Sequence, residues 1–122
     1  MKATELQIGD WVGRVFNDKR IIEDYRQVDW IRTGEIGMRY CKVWAIGCIE
    51  PIPLTPEILE KNGWWYDGYD IWQHKEVSFC IEKCNGRFRC YDINDIKLDS
   101  VHQLQQILRL CGLNELADNF KI

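Results

Sequence analysis

The chain predicts an α+β fold: a small twisted antiparallel sheet, SH3-like in its N-terminal half, then a helix, a β-meander and a second helix. Three observations predict it. Short β-rich runs separated by Gly and turn clusters fill residues 6–50, the pattern of a bent sheet or small barrel. Asn85-Gly86 sits between two alternating runs, and both central positions of a type I′ hairpin turn want positive φ. Two segments carry their own helix start and stop residues, Thr55-Pro56 with Gly63 and Ser100 with Gly112.

Residues 6–16 read as the first strand, apolar at Leu6, Ile8, Trp11, Val12, Val15 and Phe16 and bent at Gly9. Asn17-Asp18-Lys19-Arg20 is a turn cluster. Val28, Trp30 and Arg32 alternate with Asp29 and Ile31 as a second strand. Residues 33–37, with Gly34 and Gly37, read as a loop, and residues 40–49 as a long β-rich run. Residues 50–54 are extended, because Pro51 and Pro53 fix φ and disfavour helix before them.

Thr55 then caps a short helix, with Pro56 at its first position, Glu57 near the positive end of the dipole and Gly63 as the stop. Ile58 and Leu59 are its sheet-facing residues. Residues 64–72 are dense in aromatics. The Asn85-Gly86 turn pairs Cys84 with Arg87, Glu82 with Arg89 and Cys80 with Tyr91. In that register Val77, Phe79, Ile81, Phe88 and Cys90 face the core, while Cys80, Glu82, Arg87 and Arg89 face outward. Ile93, Ile96 and Leu98 continue the sheet after a turn at Asn94-Asp95. In the last long helix Ser100 is the N-cap and Gln103 reaches back. Val101, Leu104, Ile107, Leu108 and Cys111 form an apolar stripe. Gly112 ends it with Leu113 near Leu108, and Asn114 caps a final short helix. The 122 residues make one domain, with a seam near residues 51–55 between an all-β half, 1–54, and a helix–sheet–helix half, 55–122.

The composition is that of a folded chain, 46% hydrophobic and 29% charged. A net charge of −3 argues against a general nucleic-acid binder. The start has no apolar run or cleavage site, and no stretch approaches the roughly 18 apolar residues of a membrane span. A cytoplasmic protein is expected, its six Cys reduced.

Cys80, Cys84 and Cys90 lie near His74 in sequence, as zinc ligands do. The hairpin register separates them. Cys80 and Cys84 stand about 13 Å apart on one strand, and Cys90 points to the other face, so no metal site is expected. No phosphate loop, nucleophile elbow or zincin motif is present. His102 reads as a boundary residue, although a Cys–His pair with Cys41 or Cys48 is open in sequence terms. Asp67 with Asp70, and Asp92 with Asp95, read as turn residues. No catalytic residue and no cofactor is assigned.

Three stretches resemble a family of small proteins encoded by Bacteroidetes bacteria and their phages or prophages. They are Lys2-Ala-Thr-Glu-Leu-Gln-Ile-Gly-Asp-Trp-Val12, Ile49-Glu-Pro-Ile-Pro-Leu-Thr-Pro-Glu-Ile-Leu-Glu-Lys-Asn-Gly63 and Val101-His-Gln-Leu-Gln105. They fall in the family's order and span most of the chain. The chain departs from the family in its aromatics at 64–72, its Cys content and its tail beyond Leu108. The resemblance implies mobile-element cargo and no mechanism. Separately, Leu6 to Val12 is similar to the first strand of SH3-like barrels.

The candidate site is the aromatic cluster. Trp11, Trp30, Trp44, Trp64 and Trp72 read as core, whereas Trp65, Tyr66 and Tyr69 are unlike core residues in a stretch that carries Asp67-Gly68. Exposed Trp and Tyr anchor protein interfaces. Arg87 and Arg89 beside Tyr91 add a basic–aromatic strip. The expected function is a non-catalytic protein-interaction module that binds a host or phage protein. A nucleic-acid accessory factor using the SH3-like half is the alternative, and a small-ligand protein or enzyme the third. The aromatic loop or an unpaired sheet edge would equally serve a homodimer.

Overall fold

The computed structural model describes residues 1–15, 21–40, 42–91 and 96–122. Among them are nine strands in two antiparallel sheets and three α-helices, so the fold is α+β. The expected turn at 17–20, Phe16, Cys41, Ile93 and the Asp92–Asp95 and Asn94-Asp95 pairs lie outside the described residues. No described helix is long and apolar enough to cross a membrane. The chain forms two units. One is Met1–Ile52 with Val101–Asn119, and the other is Pro53–Ser100 with Phe120–Ile122.

In the first unit β1 (Trp11–Val15), β2 (Ile22–Arg32), β3 (Glu35–Met38), β4 (Lys42–Ala45) and β5 (Ile49–Glu50) form a sheet ordered β4-β3-β2-β1-β5. The eleven-residue β2 serves two neighbours: its first half pairs with β1 and its second with β3. A 3₁₀ turn, Ile46–Cys48, leads into β5. Leu6, Val12, Val28, Ile36, Met38, Trp44 and Ile49 form the core cluster.

Two expectations need correction here. Residues 6–10 are not strand. A 3₁₀ turn at Ala3–Glu5 precedes them, Leu6 is buried, Ile8 is exposed and Gly9 has φ +91°. Residues 35–37 are strand, not loop, and only Thr33-Gly34 turns. Gly37 is there for packing. It pairs with Trp30, and a Cβ would fall 2.0 Å from the indole. A glycine inside a strand marks such a close approach. Trp44 is fully buried as expected, whereas Trp11 and Trp30 are half-buried.

The helix α2 (Val101–Leu110) packs on β1. Val101, Leu104 and Leu108 are buried as the stripe predicts, but Cys111 is exposed, and His102 and Gln105 are buried instead. Its end is a Schellman motif: Leu113 N–H donates to Leu108 O, Gly112 N–H donates to Arg109 O, and Gly112 has φ +80°. Asn114 does not cap the next helix, α3 (Asn114–Asp118). It is the first helical residue, with Leu113 at the cap position.

In the second unit α1 (Pro56–Lys61) has Thr55 as N-cap, its Oγ1 accepting Ile58 N–H at 3.3 Å. Gly63, at φ +92°, redirects the chain into β6 (Trp64–Tyr66). Then β7 (Ile71–His74), β8 (Cys80–Cys84) and β9 (Arg87–Cys90) complete a four-stranded meander. Asn85 (φ +52°) and Gly86 (φ +78°) make the turn, and β8 and β9 pair in the register that turn predicts. Trp64, Trp72, Phe79, Ile81, Phe88 and Cys90 are buried. The chain passes from the first unit to the second at Ile52/Pro53. Residues 101–119, grouped with the second half in the sequence reading, belong to the first unit because α2 bonds to the backbone of residues 5–11.

Candidate interaction face and the buried polar cluster

Directly paired residues in an antiparallel sheet share a face, and neighbours along a strand alternate. That rule sorts the second unit's sheet. Trp64 with His74, and Tyr66 with Trp72, Ile81 and Cys90, lie on the core side. Trp65 pairs with Gln73 and Gln73 with Cys80. Tyr91 N–H then donates to Cys80 O at 3.1 Å and extends the row to Trp65–Gln73–Cys80–Tyr91. The next row is Ile71–Glu82–Arg89, and the last is Cys84–Arg87. These rows form the outer face.

Trp65 is 49% exposed and Tyr91 56%, with half-buried Gln73 and Cys80 between them. The row crosses three strand gaps, ~14 Å in all. Arg89 Nε donates to Glu82 Oε2 at 2.9 Å, the cross-strand pair the hairpin register predicts.

Trp65, Tyr66 and Tyr69 are all exposed, but they do not form one platform. Tyr66 is on the core-side row, its ring 5.4 Å from that of Trp72. Its hydroxyl donates to Asp70 Oδ1 and accepts Asp70 N–H, both at 3.1 Å. Tyr69, 86% exposed, stands at the tip of the β6–β7 turn. Asp67 Oδ1 accepts Tyr69 N–H at 2.7 Å and Ile71 N–H at 3.3 Å, so Asp67 and Asp70 hold that turn. Arg87 and Arg89 share the outer face with Trp65. The structure adds Gln73 and Lys97, which sequence reasoning missed. Lys97 joins through an isolated bridge to Arg89, beyond any local turn signal.

His74 is structural. Its Nδ1 accepts Glu76 N–H at 3.1 Å, so Nε2 carries the proton and donates to Asn62 O at 2.9 Å. Its ring meets Trp64 edge-on at 4.6 Å. Among the described residues no group of three or more His, Cys, Asp or Glu is placed to hold a metal ion.

A second polar constellation lies in the first unit. Asp10 is fully buried. Its Oδ1 accepts Arg109 Nη1 at 2.6 Å, and its Oδ2 accepts Gln106 Nε2 at 2.7 Å and Gln7 N–H at 2.9 Å. Gln105, also fully buried, accepts Trp11 N–H at 2.8 Å and donates to Gly9 O and Ala117 O. Gln27 donates to Gly9 O and Asp118 O. Gly9 allows this: a Cβ would lie 2.9 Å from Arg109 Nη2. His102 is buried nearby on α2. Burial pushes its pKa below the ordinary 6.5, opposed by the carboxylates of Asp10 and Glu5. Gln27, Gln105 and Gln106 bond backbone groups of residues 5–11 and 117–118, and Arg109 bridges Asp10 and Asp118, which makes the cluster a staple between α2 and the loop ahead of β1. A separate apolar hollow of about 850 Å³ lies in the same unit, lined by Met1, Ala3, Leu6, Ile31 and Ile46, with Lys2 and Arg32 among its walls.

No protein-family model, curated protein or solved structure matches the chain.

Proposed function

We propose that the chain is a non-catalytic protein-interaction module, carried by a phage or prophage and acting in the cytoplasm on a host or phage protein. The observation that carries this is the outer row Trp65–Gln73–Cys80–Tyr91, with an exposed ring at each end. Rings of this kind anchor interfaces because they cover large apolar area with few torsions to freeze. Covering the exposed parts of both removes enough apolar surface for on the order of 5 kcal/mol before association costs. The resemblance in residues 2–12, 49–63 and 101–105 supports the mobile-element setting, and the five described cysteines, Cys48, Cys80, Cys84, Cys90 and Cys111, which form no disulfide, support the compartment.

We also read the first unit as SH3-like. Its order β4-β3-β2-β1-β5, a long β2 shared by two neighbours and the 3₁₀ turn before β5 support that reading.

The test is affinity capture from cells of the source type, with and without nuclease, using wild type and the double variant W65T/Y91T. Threonine keeps β propensity while removing the rings. A captured protein, identified and reconstituted from pure components, is expected to survive nuclease and to be lost with W65T/Y91T. Capture that persists in the variant, or vanishes with nuclease, overturns the proposal.

A further inference from the structure

We propose that the corner of the outer face at the β8–β9 turn is an anion-recognition subsite that takes the carboxylates of an acidic partner segment. This rests on reading the face as a protein-docking surface. The bridge between Arg89 and Lys97 extends the row Ile71–Glu82–Arg89 to Lys97. Arg87 lies two residues before Arg89 on β9 and so on the same face. Cross-strand, next-but-one and diagonal spacings place the three cations ~5–8 Å apart at their Cβ atoms. With Cys84, Asn85 and Phe88 they line a hollow of about 370 Å³, which has no carboxylate among its described lining residues.

Like charges directly opposite on a sheet repel. Glu82 answers one of the three, through its bond to Arg89 Nε. The same bond holds that guanidinium in place. Arg87 and Lys97 are exposed. An anion in the hollow meets the exposed cations of Arg87 and Lys97, with the held guanidinium of Arg89 beside them, for charge-assisted bonds.

The charge of the ligand follows from the corner, and its class from the rest of the chain. The whole chain carries −3. A long polyanion needs a track of cations to offset such repulsion. A few carboxylates on a peptide are matched by three. The Trp65–Tyr91 row beside the corner supplies apolar contact, which a protein segment uses as well as its charge. The occupant is therefore an acidic segment of another protein.

The probe is fluorescein-labelled octaglutamate, followed by anisotropy on the full chain, with a twelve-nucleotide oligothymidylate as comparison. Octaglutamate is expected to bind, to weaken at high salt, and to weaken about tenfold in R87T/K97T. A urea midpoint equal to wild type shows that the variant is folded. Absence of binding, equal binding by R87T/K97T, or tighter binding of oligothymidylate at equal salt overturns the inference, the last in favour of nucleic acid. The captured partner separates the two proposals. If R87T/K97T captures it normally while W65T/Y91T does not, the docking face stands and the anion subsite falls. If W65T/Y91T captures it normally, the docking face falls.

Discussion

Beside α2 in the first unit, a carboxylate and two glutamines are buried to between 0% and 7% exposure. On the sheet of the second unit, an indole and a phenol stand half out of water. The usual placement is reversed in both. The polar groups go inward because residues 5–11 pair with β2 only in part, through Gly9 N–H and Asp10 O to Val28, and leave other backbone groups to be paired by side chains. Gly9 O, Trp11 N–H and Glu5 O are all bonded by side chains of Gln105, Gln106 and Gln27 instead. Buried polar groups must be paired, and here a helix supplies the partners a strand does not. The rings go outward because the core side of the β6–β9 sheet is already filled by Trp64, Trp72, Phe79, Ile81 and Phe88. Polar motif residues therefore explain architecture in one unit, and aromatic ones point to contact in the other.

The largest effect is expected at Asp10. Asp10→Ala takes the buried carboxylate from the Arg109 guanidinium, 15% exposed, leaving it only the exposed Asp118 as ion-pair partner at 3.2 Å, and strips Gln106 and Gln7 N–H of an acceptor. Breaking a buried pair costs about 3–5 kcal/mol when the remaining charge has no other partner, and the Asp118 contact brings the expected loss to the lower end, about 3 kcal/mol. Urea unfolding followed by circular dichroism measures it. A loss below about 1 kcal/mol, the level of an exposed pair, would mean that the cluster is not a staple.

His102 comes next. Its folded-state pKa lies below 6.5 because burial disfavours the imidazolium. The facing carboxylates, Asp10 and Glu5, pull the other way and lose. With the folded pKa depressed, the unfolded chain binds the proton first as pH falls. The stability this histidine contributes is full above 6.5 and declines below it, down to the folded-state value. His102→Gln should therefore show a shallower loss than wild type on going from about pH 7.5 to 5.5. Parallel urea-midpoint curves for the two proteins would refute the assignment.

Much of this was legible in the residues. The register of β8 and β9 follows from Asn85-Gly86, because few dipeptides accept positive φ twice. The ends of α1 and α2 follow from Thr55, Gly63 and Gly112. The failures have physical causes. Gly37 looked like a loop residue, since sequence cannot distinguish a glycine that turns from one that admits an indole. In sequence His102 reads as a boundary residue and Gln105 has no assigned role, since the backbone groups that Gln105 pairs, Trp11 N–H and Gly9 O, lie about a hundred residues away. For the site, composition marked Trp65 as exposed. Separating it from Tyr66 needed the pairing of β6 with β7, and adding Lys97 needed a bridge that no turn announces.

The smallest stability effect is expected where the functional effect is largest. Trp65 sits on an edge strand of its sheet, paired with Gln73, and stands half out of water. Trp65→Thr keeps a β-favouring residue there, so its urea midpoint should stay within about 0.5 kcal/mol of wild type. Titration of the reconstituted partner should nevertheless weaken by roughly 2 kcal/mol or more, the cost of truncating an anchor ring. The pair of measurements discriminates where either alone does not. A ring that matters for packing moves stability and affinity together. A ring kept for contact moves affinity alone, as Asp10→Ala should move stability alone. If Trp65→Thr unfolds as readily as Asp10→Ala, the outer row belongs to the core, and the contrast between the two units disappears.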